Sequence, residues 1–162
     1  MNGIRSALGL SLALTAAVAA CSGDSATAPE GDAAFVRLAG ADQGGQGFTT
    51  TLSGEEEAPV PVNTPGTGTF SMTINPGQGV LCYELAVSNL TSAVTNAHIH
   101  VGPPGVAGPP VVQLDPSFEG STSDCLAVEA TLLRQIRKNP EAYYVNVHTV
   151  MFGAGEVRGQ LD

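Results

Sequence analysis

Basic residues are scarce in this chain. Lys and Arg number 6 among 162 residues, against 15 Asp and Glu, for a net charge of −9 at pH 7. Such a balance cannot neutralise a row of phosphates, which excludes nucleic acid as a partner. It equally excludes a polybasic grip on anionic lipid head groups. The one extended apolar run, Ala7 to Ala20, is too short to span a bilayer comfortably. No G-x-S-x-G occurs, so no nucleophile elbow presents a catalytic serine. "GPPGVAGPP" (Gly102–Pro110) cannot cradle phosphate, because its prolines lack amide donors and no Lys-Ser/Thr follows; it reads as a rigid surface loop. Histidine and cysteine are limited to three each, so every one of them can be accounted for.

The N-terminus places the protein. "MNGIRSALGLSLALTAAVAAC" carries one positive charge at Arg5, then the apolar run, then Cys21. That order is a secretory signal, and Val18-Ala19-Ala20-Cys21 resembles the bacterial lipobox, where cleavage precedes a lipidated cysteine. Acyl chains on Cys21 would anchor the protein to a membrane, each buried methylene contributing about 0.8 kcal/mol. Ser22, where the sorting pattern has aspartate for inner-membrane retention, points to the outer membrane of a bacterial cell envelope. Removing Arg5 with the signal leaves five basic residues against 15 acidic ones, a formal charge of −10. With Cys21 lipidated, Cys82 and Cys125 remain as an even pair in an oxidising compartment, without metal-type spacing, and read as a disulfide. Closing a loop of about 44 residues would stabilise the fold by roughly 4 kcal/mol in the chain-entropy model.

Three parts follow: a signal over 1–20, a lipidated cysteine and flexible tether over 21–46, and one folded domain over 47–162. The tether is rich in Gly, Ala and Asp, with "FVRL" (Phe35–Leu38) its single apolar island. Beyond it the hydrophobic period becomes two. Phe48 and Leu52 share a face with Thr50; Phe70, Met72 and Ile74 align, as do Leu81, Tyr83, Leu85 and Val87. Further short segments are "NAHIHV", "PVVQL" (Pro110–Leu114), "YYVNVHT" and "GEVRGQL", with a turn at Asn75-Pro76-Gly77. About seven short strands with such turns predict an all-β fold, an antiparallel β-sandwich. One helix is expected at roughly 126–138, capped by Asp124 and ended by Lys138-Asn139-Pro140.

Strand parity governs the three histidines. Side chains alternate across a strand, so Ile99 facing inward sends His98 and His100 outward. Val145 and Val147 facing inward send Asn146 and His148 outward, and Val157 does the same for Glu156 and Arg158. All three histidines therefore lie on polar faces. Two at i and i+2 have Cα atoms roughly 6.5–7 Å apart and can converge on one ion at about 2.0–2.1 Å. A third from a neighbouring strand would complete a site suited to copper or zinc. The other reading has the rings donating to Glu57, Glu156 or loop carbonyls and ordering the surface, with Arg158 and Glu156 a cross-strand pair. Both stay open, surface ordering ahead of ion binding. "EEE" (Glu55–Glu57) alternates in direction and reads as a solvated turn rather than a calcium site.

Three blocks in order, "TLSGEEEAPVPVNTPGTGTFSMTI", "LAVSNLTSAVTNAHIHVGPPGVAGPPVVQL" and "NPEAYYVNVHTVMFGAGEVRGQL", resemble the CHRD (chordin-type) domain. The likeness runs over about residues 47–161 and implies a β-sandwich of immunoglobulin-like or superoxide-dismutase-like kind. Glu57, His98, His100, Asn146, His148, Glu156, Arg158 and Gly159 fall at its motif positions; the Cys82/Cys125 pair departs from it and looks like a local staple. No activity comes with the resemblance. Less of the chain, the H-x-H strand and the late V-x-V-H strand, is similar to the copper half of the copper/zinc superoxide dismutases, with His98, His100 and His148 at three copper positions. The bridging histidine and the zinc ligands have no counterpart. The sequence thus supports first a lipid-anchored binding or structural module that engages an envelope or extracellular protein or glycan, and is more readily not an enzyme. The alternative is a copper- or zinc-binding protein, weakly redox-active.

Overall fold

The computed structural model describes residues 45–115, 118 and 120–162. The signal, Cys21 and nearly all of the tether lie outside the described residues. Among the described residues eight strands and one α-helix follow in order: β1 (Gln46–Ser53), β2 (Thr67–Asn75), β3 (Val80–Ser88), β4 (Val94–Val101), β5 (Pro110–Gln113), β6 (Ser121–Ala127), α1 (Ala130–Lys138), β7 (Tyr143–Thr149) and β8 (Val157–Gln160). All pairings are antiparallel, in the order β5-β4-β7-β8-β1-β2-β3-β6. No helix among the described residues is long and apolar enough to cross a membrane.

The sheet has two four-stranded halves that meet through a single pair, Ser53 with Arg158. It curls so that the inward faces of both halves share one apolar core. Phe48, Leu52, Phe70, Met72, Ile74, Leu81, Tyr83 and Leu85 come from one half; Ala97, Ile99, Val112, Val145, Val147 and Val157 come from the other. These are the residues that period-two alternation assigns inward. The β2–β3 turn forms where Asn75-Pro76-Gly77 predicts it: Asn75 Oδ1 accepts the backbone N–H groups of Gly77 and Gln78, and Gly79 takes φ +67°.

The helix begins later than expected. Leu126 and Ala127 are not helical but close β6, opposite Leu81 and Val80, and α1 starts at Ala130. Asp124 is a strand residue, not a cap; its carboxylate accepts the N–H of Cys125. The physical reason is that β3 would otherwise be an open edge, and residues 121–127 satisfy its ladder. As an edge strand, "STSDCLA" needs no alternating apolar face, so it gives no periodic signal. Cys82 stands directly opposite Cys125 in this ladder, and the two are bonded at S–S 2.06 Å. Leu133 and Ile136 anchor the helix in the core.

Candidate metal centre

The outward face of β4, β7 and β8 is where the polar residues collect. Cross-strand register sets His98 opposite Asn146, His100 opposite Tyr144, and Asn146 opposite Arg158. This face is not open to solvent, contrary to the sequence expectation. Asn146, Glu156 and Arg158 are 3%, 0% and 1% exposed, and His100 is also buried. The cover comes from the segments between strands: 102–109, the turn at Gly54–Glu56 with its continuation, and 150–156. Polar groups of the face bond to backbone carbonyls of 102–109 and 150–156, and to the Glu57 side chain that follows the turn.

Each histidine ring is held by one hydrogen bond to a carbonyl oxygen. His100 Nδ1 donates to the Gly108 carbonyl at 2.8 Å, and His148 Nδ1 to the Gly153 carbonyl at 3.1 Å. His98 Nε2 lies 2.9 Å from Gln113 Oε1. The Gln113 amide cannot be turned round, since its nitrogen, Nε2, already donates to the Ala97 and Leu114 carbonyls. A carbonyl oxygen only accepts, so each of these ring nitrogens carries the proton and the other ring nitrogen carries a lone pair. The lone pairs are then at His98 Nδ1, His100 Nε2 and His148 Nε2. His98 Nδ1 and His148 Nε2 face each other at 3.1 Å, and His100 Nε2 is buried with no hydrogen-bond partner. One nitrogen from each ring lies within 4.8 Å of the others. Tetrahedral ligands about 2.0–2.1 Å from an ion are roughly 3.3 Å apart, so the closest pair is already at ligand spacing.

Burial lowers the pKa of His100 and of His148, and neighbouring histidines act in the same direction; the Gly108 and Gly153 carbonyls oppose them. Both rings are therefore held toward the neutral, ligand-competent form. The ring orientations depend on more than one neighbour. Tyr144 stacks on His100 with centroids 4.8 Å apart and planes 10° from parallel. Its hydroxyl accepts the Gly108 N–H at 3.0 Å. The Arg158 guanidinium lies 3.5 Å from the Tyr144 ring centroid, and donates to the Val106 and Pro103 carbonyls and to Gln160. Arg158 thus pins the 102–109 segment whose Gly108 carbonyl orients His100. A bulge between Ile99 and His100 opposes His100 to Pro110, which has no N–H to offer the ladder.

The expected carboxylate partners are elsewhere. Glu156 does not pair with Arg158; its oxygens accept from Thr64 Oγ1, Thr91 N and Oγ1, and Thr149 Oγ1 at 2.6–3.0 Å. Burial pushes its pKa up, but these donors outweigh burial and the carboxyl ends below its ordinary value. It clasps three segments together. Of the acidic triplet, Glu55 and Glu56 are exposed, while Glu57 is buried and accepts from Asn146 Nδ2 at 2.7 Å. Burial raises Glu57 to about 7, with Arg158, the Ala58 N–H and Asn146 pulling the other way. Neither glutamate bonds a histidine ring.

Gln113, Tyr144 and Gly108 are the contributors that reasoning from sequence overlooked. Parity offered a signal for the first two: Val112 inward sends Gln113 outward beside the H-x-H strand, and Tyr144 shares its face with Asn146 and His148. Nothing in the sequence singles out the Gly108 carbonyl.

A curled antiparallel sheet with a buried polar face and a three-histidine cluster defines an all-β domain with a candidate metal centre. Residues 48–161 match the family model of the CHRD domain, and the chain belongs to that family. No curated protein and no solved structure matches the chain.

Proposed function

We propose that this domain binds a copper or zinc ion through His98 Nδ1, His100 Nε2 and His148 Nε2. The observation that carries the reading is the 3.1 Å approach of two ring nitrogens whose protons are both committed elsewhere. Two lone pairs at that distance repel unless a cation lies between them. A proton shared by His98 and His148 would relieve that pair alone. It would leave His100 Nε2 buried and unpaired, at a cost of about 1–3 kcal/mol. One ion satisfies all three nitrogens. Neutral imidazoles suit both metals, and at equal availability copper binds the more tightly. The acidic chain favours the approach of a cation. The domain would work at the outer membrane, displayed on a tether from lipidated Cys21.

Calorimetric titration of the full chain, stripped of metal with chelator, tests the site. One ion per chain is expected, and His98→Ala, His100→Ala and His148→Ala should each lower affinity by about ten-fold or more. No stoichiometric binding of either ion would refute the reading and leave surface ordering in its place. For the anchor, Cys21→Ser should move the protein from a carbonate-washed membrane fraction to the soluble one. A variant that still sediments with membranes would exclude the lipid.

A further inference from the structure

Among the described residues two buried side-chain polar atoms have no hydrogen-bond partner, and they belong to the same face. One is His100 Nε2; the other is Asn146 Oδ1. Asn146 stands opposite His98 in the β4/β7 register and two residues before His148, so it occupies the middle of the histidine cluster's strand grid. While Glu57 is ionised, the amide orientation is set from the other end. Nδ2 donates to Glu57 Oε1 at 2.7 Å. Glu57 and Asn146 are both packed against Gly155, where a Cβ would lie 2.3 Å from Asn146 Nδ2 and 2.6 Å from Glu57 Oε1. With the nitrogen committed, the amide oxygen is an acceptor left without a donor in a buried position.

Three protein ligands leave an ion with a coordination position to fill, and a water commonly fills it. We propose that the ion held by the three histidines keeps a water molecule as its fourth ligand, and that Asn146 Oδ1 accepts a hydrogen bond from that water. The inference rests on the metal reading above and assigns the residue that governs what the ion can take. One hydrated ion accounts for both partnerless atoms: the ion satisfies His100 Nε2, and a proton of its water satisfies Asn146 Oδ1. The amide oxygen can only accept, so it selects among exchanging ligands. Those that coordinate and still carry a proton, such as water, ammonia or a hydroperoxide, keep the hydrogen bond. Azide, cyanide and halides break it and set a lone pair against the carbonyl oxygen.

The test uses the full chain loaded with Cu(II). Azide affinity is read from its charge-transfer absorption in the unaltered protein and in Asn146→Leu. The variant should bind azide about five-fold more tightly or better, because no buried acceptor is then stranded. Equal or weaker azide binding would overturn the proposal. A measurement on the unaltered protein makes the test independent of whether that variant folds: pulsed EPR in D2O should detect the deuterons of a coordinated water. Copper bound without that coupling sinks this proposal and leaves the metal site standing. Failure to bind copper or zinc at all removes the site itself.

Discussion

Gln113 and His98 face each other across β5 and β4, with Gln113 Oε1 2.9 Å from His98 Nε2 and the amide nitrogen tied to two backbone carbonyls. Gln113 therefore decides which His98 nitrogen is free to act as a ligand. Gln113→Leu releases the ring to either tautomer and should weaken copper or zinc binding by about ten-fold, the lower end for a group that orients a ligand. Competition against a chelator of known affinity measures it. Affinity equal to that of the unaltered protein would show that the His98 tautomer is set by something else.

The buried Glu57 carboxyl makes metal-free stability depend on pH. Its folded pKa is raised from 4.5 to about 7, so between those values the folded state holds a proton that the unfolded state has released. This contribution is fully present below the unfolded pKa and is lost as pH rises through about 7. The loss is on the order of 3 kcal/mol. Glu57→Gln keeps an acceptor for Asn146 Nδ2 and carries no titrating group. Urea denaturation across pH 4 to 8 should show this slope in the chelated protein and a flatter profile in the variant. Parallel profiles would place the titration elsewhere.

A side chain at Gly155 is strained and crowded. Its φ of +137° lies where side chains are strained, and a Cβ would collide with both Asn146 and Glu57. Backbone strain and overpacking together predict a loss of about 3 kcal/mol for Gly155→Ala. Gly105 is the control: it also has positive φ, at +75°, but nothing lies within 4 Å of its missing Cβ. Gly105→Ala should lose only about 1–2 kcal/mol. Urea midpoints at constant slope give the comparison, and equal losses would show that the Glu57–Asn146 contact is loose.

The Cys82–Cys125 bond closes a separation of 43 residues and ties β3 to the edge strand β6. Its reduction should lower stability by roughly 4 kcal/mol in the chain-entropy model, while the native fold persists at room temperature because the shared apolar core does not depend on it. Thermal melts with and without reductant read the difference. In a full-length Cys21→Ser chain unfolded without reductant, no thiol should titrate; two would mean that the bond does not form.

Most of the inner architecture was legible from alternation alone. Phe70, Met72 and Ile74, or Val145 and Val147, announce their face by spacing, and the same parity places His98, His100 and His148 together. What alternation cannot convey is a lid. It distinguishes the core side from the other side, and takes the other side for solvent. Asn146, Glu156 and Arg158 are buried because loops from distant parts of the chain return over them, and loop closure leaves no period in the sequence. The edge strand at 121–127 went unread for a related reason. A strand paired along one side only can be built from Ser, Thr and Asp, and its neighbouring leucine and alanine then look like the start of the helix.

The dependence of His100 on Arg158 has a temporal side. The carbonyl that orients His100 belongs to a segment held by Arg158 of β8, which bonds Val106 and Pro103 across 52 and 55 residues, and His98 meets His148 across 50 residues. A growing polypeptide carries His98 and His100 long before it carries His148 and Arg158. The centre is thus withheld from any ion until β8 has been made and docked, and loading belongs to the folded domain rather than to its nascent strands.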